Sequence, residues 1–292
     1  MIPRLDIRQQ GFAQALGEAA RGPGFFLLDG HGLDPAPVFA AAEAFFAQPQ
    51  EAKDAVSIRH SAHNRGYVTL GEERLDDTTG APDQKEAFNV GLDLAPDDPR
   101  VVSCEPFRGT NLWPDLPGFR TATLGWYNSA WALGVDLMRA VAVDLGLEAE
   151  RFSPDFDAPL ATLRLLRYPA EDGAGGIGAG AHTDYGALTL LMTDGTAGLQ
   201  VKPRDGDWID VPPAEGAFVV NIGDCLMRWT NGIYASTPHR VLPPPRERYS
   251  VAFFLDPNPD AMIAALPGTG APQWPPVSGA DYLRSRLEAT YG

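Results

Sequence analysis

The sequence predicts a mainly β protein with flanking helices, whose core is a sandwich or jelly roll of short strands. The first observation is a change of texture near residue 159, after which β-rich runs alternate with Gly and Pro turns. The second is the helical spacing of apolar residues before that point. The third is size, since 292 residues, 44% of them hydrophobic, can bury a large core. The expected strands are LATLRLLRYP, GALTLLM, GLQVKP, DWIDVPP, AFVVNIG, ASTPHRVL and RYSVAFFLDP.

The segments that precede the strands favour helices. FAQALGEAARG has helical spacing and stops at a glycine, and PVFAAAEAFFAQPQEAK is Ala-rich until it breaks at Pro49. Residues 115–147 are expected to form one long amphipathic helix that ends near Gly146. Its apolar stripe, which is most simply explained by core packing, consists of Leu124, Tyr127, Trp131, Val135, Met138 and Val141.

We expect residues 1–292 to form a single domain. Residues 1–157 would be a mostly helical N-terminal part, residues 158–258 the β core that carries the candidate sites, and residues 259–292 a C-terminal loop and helix. The helices are expected to pack on the core, because the apolar face of a sheet must be buried.

Charge and composition limit the classes of function. The net charge of -15 argues against nucleic acid and anionic membranes as partners. No window approaches the roughly 20 apolar residues of a membrane span, and MIPRLDIRQQ lacks the apolar core of a signal peptide. Cys104 and Cys225 form no disulfide framework. We therefore expect a cytoplasmic protein with two reduced thiols.

A candidate metal site begins in GAHTDYGALTLLM, residues 180–192. On a strand, His182 and Asp184 would point to the same side, because side chains alternate between faces. His239, in another strand-like run, is the candidate third ligand. Two imidazoles and one carboxylate make the facial triad of non-haem Fe(II) oxygenases. From these residues alone, an exposed turn beside an unrelated histidine remains an equal alternative.

A candidate anion site lies in RYSVAFFLDP. Arg248 and Ser250 share one face of a strand that is apolar on both faces, so they are expected to point inward. A buried guanidinium needs an anion, and its fork fits a carboxylate. Tyr168, at the end of another strand, is a further candidate donor. An internal salt bridge of Arg248 and an ordinary half-buried Tyr168 are the alternatives.

The chain resembles the isopenicillin N synthase-like branch of the Fe(II)/2-oxoglutarate-dependent dioxygenases. The resemblance runs almost end to end, through GFFLLDGHGL, NRGY, KEAFNVG, RYP, HTDYGALTLL, GLQV, NIGD, TNGIYASTPHRV and RYSVAFF. It implies a distorted double-stranded β-helix, that is, a jelly roll with helices outside. It also implies iron at His182, Asp184 and His239, with O2 and the co-substrate 2-oxoglutarate. It places the far carboxylate of 2-oxoglutarate on Arg248 and Ser250, with Tyr168 nearby.

The resemblance implies oxidative decarboxylation of 2-oxoglutarate coupled to hydroxylation, desaturation or ring closure of a small organic substrate. Tyr67, Phe88 and Phe254 are the substrate-facing candidates, from their aromatic character near the matching motifs. Lys85 and Glu86 are expected to be a solvated pair, and residues 171–180 a lid before the iron ligands. Three alternatives remain open: a 2-oxoglutarate-independent Fe(II) oxidase, a zinc-dependent hydrolase and a non-catalytic small-molecule receptor.

Overall fold

A computed structural model describes residues 1–75, 82–170, 176–204 and 206–291. The helices are α1 Phe12–Arg21, α2 Ala36–Phe46, α3 Gln50–Asp54, α4 Pro99–Val102, α5 Phe119–Asp144, α6 Asp224–Trp229 and α7 Gly279–Tyr291. The strands are β1 Arg4–Asp6, β2 Phe25–Asp29, β3 Gly66–Val68, β4 Glu86–Gly91, β5 Thr162–Tyr168, β6 Ala179–His182, β7 Leu188–Thr193, β8 Leu199–Val201, β9 Ile209–Asp210, β10 Phe218–Ile222, β11 His239–Val241, β12 Arg248–Leu255, β13 Met262–Ile263 and β14 Val277–Ser278. In the described part of the chain, no helix is long and apolar enough to cross a bilayer.

The long helix forms within the predicted range but is shorter at both ends. Helix α5 begins after Gly118, whose φ of 80° breaks the helical path, and ends two residues before Gly146. Its apolar stripe packs on the sheet as expected, with Tyr127, Met138 and Val141 buried. Glycine tolerates the left-handed backbone at both ends, which other residues adopt only with strain.

Two sheets face each other and form the jelly roll, so the predicted fold class is confirmed. The larger sheet has eight strands in the order β1-β2-β10-β7-β12-β5-β4-β3, and the smaller has the order β6-β11-β8-β9. All neighbouring strands of the two sheets run antiparallel except β1 and β2. Every one of the seven expected strands is present.

The N-terminal part contributes more β structure than the sequence suggests. Four of the eight strands in the larger sheet, β1 to β4, come from residues 1–157. The two longest, FFLLD and EAFNVG, are buried along nearly their whole length. A strand buried on both faces shows no alternation of polar and apolar residues, so its period cannot be distinguished from that of a buried helix.

Strand β12 shows how the sheet divides the interior into two layers. Val251, Phe253 and Leu255 pack against the helices, in the layer that also buries α5. Ala252 and Phe254 point to the other side, into the space between the two sheets. The prediction that β12 is buried on both faces is therefore confirmed. The second layer is incompletely filled, and the candidate site occupies the opening.

Candidate active site

The site is a pocket between the two sheets. The inner face of the larger sheet supplies one wall, with alternate residues of β12 and of its neighbours β5 and β7. The smaller sheet supplies the opposite wall through β6, β8 and β11. Helix α7 contributes Leu283 and Leu287 at one end. The predicted metal and anion residues all line this one pocket.

The two histidines lie side by side because β6 and β11 pair. His182 and His239 are direct partners in the antiparallel register, and their ring centroids are 4.4 Å apart. His182 Nδ1 donates to Gly180 O at 2.7 Å, and His239 Nδ1 donates to Thr237 O at 3.2 Å. A carbonyl can only accept, so the proton of each neutral ring lies on Nδ1. Both Nε2 atoms are thereby left with a lone pair for a metal.

Asp184 completes a three-residue cluster, although it lies in the loop that follows β6 and not on the strand itself. Its Oδ1 is 3.8 Å from His182 Nε2 and 3.6 Å from His239 Nε2. Its Oδ2 accepts from Thr189 Oγ1 at 2.5 Å and from Asn221 Nδ2 at 2.8 Å. One ligand atom from each residue lies within 4.8 Å of the others. The carboxylate is thus held with one oxygen toward the imidazoles.

The electrostatics of the cluster suit a cation. Burial, together with the neighbouring His239, lowers the pKa of His182 to about 3. Burial by itself would raise the pKa of Asp184, but His239, His182 and the two hydrogen bonds outweigh it and hold that pKa below its usual value. At neutral pH the site therefore offers a neutral His182 imidazole and an ionised Asp184 carboxylate, which are the forms that bind metals. The donor set fits a ferrous ion.

Arg248 and Ser250 present unused hydrogen-bonding atoms to the pocket. Arg248 is 1% exposed, and its Nε donates to Thr196 O at 3.3 Å. Across the described ranges, neither Arg248 Nη1 nor Ser250 Oγ has a hydrogen-bond partner, and no carboxylate pairs with Arg248. The Tyr168 ring lies under the guanidinium, with Cζ 4.8 Å from the ring centroid. Buried polar atoms normally have partners, so this group fits a bound carboxylate.

The three substrate-facing candidates lie in two different layers of the protein. Phe254 lines the pocket. Tyr67 and Phe88 do not, and the prediction for these two residues is corrected: they lie in the layer between the larger sheet and the helices. The Tyr67 hydroxyl donates to Glu86, and the Phe88 ring packs 4.7 Å from Phe45. Their positions follow from alternation, because the next residues along each strand take the opposite face.

Lys85 and Glu86 are buried, so the expectation of a solvated pair was wrong. Lys85 lines the pocket, where its Nζ pairs with Asp83 and lies 3.2 Å from Glu73 Oε2. Glu86 faces the opposite side of β4 and pairs with a lysine and an arginine there. Two adjacent charged residues in a short strand are ambiguous, because each can find a buried partner on its own face.

Sequence reasoning also missed residues that support the site. Asn221 and Thr189 hold the Asp184 carboxylate, although neither was among the candidate site residues. Their position on β10 and β7, directly opposite one another, becomes visible only with the strand register. Of the expected lid over residues 171–180, residues 171–175 lie outside the described ranges, and β6 begins at Ala179.

The models of two protein families match this chain. The model of the 2OG-Fe(II) oxygenase superfamily matches residues 159–257, which include the whole cluster described above. The model described as the N-terminal region of non-haem dioxygenases in morphine synthesis matches residues 2–116. Residues 117–158 lie between the two matched ranges.

Individual proteins are similar over nearly the full chain. A 2-oxoglutarate-Fe(II) type oxidoreductase of Emericella nidulans, hxnY, is 36% identical over 96% of this chain and 84% of its own. A homoarginine-6-hydroxylase of Oryza sativa is 37% identical over 86% of this chain and 79% of its own. A full-length Neurospora crassa protein, crystallised in complex with alpha-KG, has a TM-score of 0.86 at 35% identity, covering 99% of this chain and 96% of that one. The same Neurospora protein was also crystallised with alpha-KG and thymine.

Proposed function

Because the chain belongs to the 2OG-Fe(II) oxygenase superfamily, we propose that His182, Asp184 and His239 hold its ferrous ion. The protein is an Fe(II)- and 2-oxoglutarate-dependent dioxygenase, which couples the decarboxylation of 2-oxoglutarate to the oxidation of a small organic substrate by O2. The convergence of two imidazole nitrogens and one carboxylate oxygen within 4.8 Å carries the assignment of these residues to the metal. Three protein ligands leave the remaining metal positions for co-substrate and O2.

Arg248, Ser250 and Tyr168 are assigned to the carboxylate of 2-oxoglutarate that lies away from the metal. The support is the unmet hydrogen-bonding capacity of Arg248 Nη1 and Ser250 Oγ, both buried on the same face of β12. A guanidinium in an apolar layer is costly without an anion, and a carboxylate can accept from it with two parallel hydrogen bonds. Tyr168 closes the site from the neighbouring strand, where it is the register partner of Arg248.

The protein residues contribute position, charge balance and exclusion of water. When bound, the iron with 2-oxoglutarate and O2 supplies the oxidising chemistry. Thr189 and Asn221 fix Asp184, so that one carboxylate oxygen stays directed at the metal. A ferrous ion with Asp184 carries about +1, a 2-oxo dicarboxylate carries -2, and Arg248 adds +1. This near-neutral sum is what a low-dielectric pocket favours.

The substrate is proposed to be a small molecule that enters beside the metal, at the end of the pocket lined by Phe254. The Neurospora protein was crystallised with thymine, and the rice relative is named for homoarginine. Two proteins that this chain resembles are therefore associated with small nitrogen-containing molecules. Phe254 lies six residues along β12 from Arg248, on the same face. At about 3.4 Å per residue, the two side chains are about 20 Å apart along the strand. That separation leaves room for co-substrate, metal and substrate in one row.

The metal assignment is tested on protein purified without O2. We expect one equivalent of iron in the wild type, and succinate formation in step with O2 uptake once a substrate is supplied. His239→Ala should lose the iron and the turnover. His31→Ala is the control, because that imidazole bonds Gly216 O at 2.9 Å outside the pocket. Full iron content in His239→Ala would remove this residue from the ligand set.

A further inference from the structure

The end of the pocket away from Arg248 carries a row of polar groups that the proposed function does not use. We call it the polar end and define it by Asn89, Arg65 and Asp256. Asn89 lies on β4 level with Ala252, because both are register partners of Arg164. Asp256 directly follows β12 and continues the alternation of its pocket-facing residues. Asn89 and Asp256 both line the pocket.

Arg65 lies on the same side of β4 as Asn89, although it does not line the pocket itself. Its guanidinium rests on Gly91, where a Cβ would come within 2.0 Å of Arg65 Cζ, so only glycine leaves room for it. Gly91 is two residues beyond Asn89 on the same face of β4. Arg65 is 4% exposed, and its Nη1 donates to Asn64 O at 3.4 Å. Among the residues that the structure describes, no carboxylate forms an ion pair with it.

The side-chain oxygen of Asn89 is an unused hydrogen-bond acceptor in the described part of the chain. Its Nδ2 donates to Asn64 O at 3.3 Å, the same carbonyl that Arg65 contacts. That contact fixes the orientation of the amide, because a carbonyl accepts from nitrogen and not from Oδ1. Asn89 is fully buried, and within the described ranges Oδ1 has no hydrogen-bond partner.

Asp256 is the second group at this end with unused acceptors. Its side chain is buried, yet in the described part of the chain it forms neither a hydrogen bond nor an ion pair. Burial, together with the charge of Asp184, raises the pKa of Asp256 to about 7, and only Arg65 opposes the shift. A buried polar group without a partner costs free energy, and in native proteins each such group calls for an explanation.

The two unmet groups share one property, since Asn89 Oδ1 and the ionised carboxylate of Asp256 both offer oxygen acceptors to the pocket. Given the proposed function, on which this inference rests, we propose that the polar end binds a nitrogen-containing substrate whose N–H groups donate to Asp256 and to Asn89 Oδ1. The positive charge of Arg65 offsets part of the free-energy cost of burying the Asp256 carboxylate. Asp256 is the specificity-determining residue, because a site built for hydrogen bonds strongly rejects analogues that lack them.

The inference is tested with matched probes on the Fe(II)-loaded enzyme with 2-oxoglutarate. The N–H probes are 2-pyridone, hydantoin and 2-imidazolidinone, each compared with its fully N-methylated form and with cinnamic acid and cyclohexanone. Substrate-stimulated succinate release is measured, and binding is measured separately by calorimetry without O2. We expect N–H probes to stimulate and N-methylation to weaken binding at least tenfold. Equal response to the methylated forms, or a response only to cinnamic acid or cyclohexanone, would overturn the proposal, as would no response to any N–H probe.

A pair of isosteric variants tests the unmet carboxylate without any substrate. Asp256→Asn removes a carboxylate charge that burial and Asp184 disfavour more than Arg65 compensates, so we expect the holoenzyme to unfold at a higher denaturant concentration. Asp83→Asn is the control, because its carboxylate is also buried but pairs with Lys85 and accepts from Gly180 N at 2.9 Å. That variant should unfold at a lower concentration. A destabilised Asp256→Asn would show that the carboxylate has a structural partner, and the proposal would fail.

A third variant tests whether the Asp256 carboxylate binds the N–H probes. Asp256→Leu should raise the KM of the best N–H probe at least tenfold and leave the affinity for 2-oxoglutarate measurable. The two proposals fail in different ways. A protein that does not bind 2-oxoglutarate contradicts the proposed function. A protein that binds 2-oxoglutarate but treats N–H and N-methyl probes alike contradicts only the inference about the polar end.

Discussion

At the scale of single residues, the pocket keeps polar atoms where close apolar packing would be more stable. Arg248 and Ser250 lie in the layer between two sheets, and two of their polar atoms have no partner in the described part of the chain. An unpaired polar atom in such a place costs about 1–3 kcal/mol, and more when it is charged. A ligand that supplies the missing partners removes this cost, and the free energy recovered contributes to its affinity.

The first prediction concerns Arg248. Arg248→Ala should weaken 2-oxoglutarate binding by about 2–5 kcal/mol, the usual loss when one partner of a buried charge pair is removed. This corresponds to roughly 30-fold or more in affinity, measured by calorimetry without O2. Arg246→Ala is the control, because this exposed arginine bonds Thr196 Oγ1 at 3.2 Å without entering the pocket. An unchanged titration in Arg248→Ala would refute the assignment.

The second prediction concerns the residues that orient Asp184. Asn221→Ala removes the 2.8 Å hydrogen bond to Asp184 Oδ2, so the carboxylate gains freedom to turn away from the imidazoles. We expect iron affinity to fall about 10- to 100-fold, the usual effect of removing a partner of a metal ligand. Thr189→Ser keeps a hydroxyl on the same oxygen and should retain most of the affinity. Competition with a chelator measures both, and equal affinities would show that Asn221 does not orient the carboxylate.

At the scale of elements, short pairings and tight helix contacts set the site. Pairing of β6 with β11 brings His182 beside His239, and the loop that follows β6 brings in Asp184. Behind the larger sheet, α1 crosses α5 at Gly17, where a Cβ would lie 2.0 Å from Asp144 Oδ1. Asp144 also binds Arg21 at 2.6 Å, so one carboxylate joins the two helices.

The third prediction tests this helix contact. Gly17→Ala should destabilise the protein by about 1–3 kcal/mol, because Asp144 must move and its pair with Arg21 is disturbed. Gly125→Ala is the matched control: it lies in α5 with no atom within 4 Å of the added Cβ, and should stabilise by about 0.5–1 kcal/mol. Chemical denaturation followed by circular dichroism measures both changes. Equal effects at the two sites would contradict the close contact.

At the scale of the whole molecule, one buried network ties distant segments together. The Glu86 carboxylate on β4 pairs with Lys53 on α3 at 2.6 Å and with Arg167 on β5 at 2.7 Å, and accepts from Tyr67 on β3. Burial by itself would raise the pKa of Glu86, but these donors outweigh it and hold the pKa below 4.5. The charge is therefore part of the folded state.

The fourth prediction follows from that shift. The folded pKa of Glu86 lies below the unfolded value of 4.5, so the unfolded chain takes up this proton first as the pH falls. The stabilisation is complete above about pH 4.5 and is lost as the pH falls through the folded pKa. Glu86→Gln should be less stable at pH 7 and should lose less stability between pH 5 and 3 than the wild type. Glu215→Gln, on an exposed turn, should follow the wild type; parallel curves for all three proteins would contradict the network.

Three expectations drawn from the sequence differ from the structure, and each has a physical reason. Asp184 was expected on a strand, but it lies in a loop and still reaches both imidazoles. Tyr67 and Phe88 carried the aromatic character of a substrate site but face the helices, because the choice of face depends on register, which one sequence does not reveal. Lys85 gave no sign of burial, since one of its partners, Glu73, lies in a segment that the sequence does not connect with it.

The sequence by itself determined the β-rich core, the long helix, the three metal-ligand candidates and the inward arginine of β12. These follow from local rules, because the spacing of residues sets which side chains share a face and which residue types bind metal or anions. The tertiary structure alone decided that β1 to β4 extend the larger sheet, that Asn221 and Thr189 hold Asp184, and that Asn89 and Asp256 line the same pocket. Each of these depends on strands that are distant in the chain but paired in space, and pairing is fixed by packing across the whole molecule.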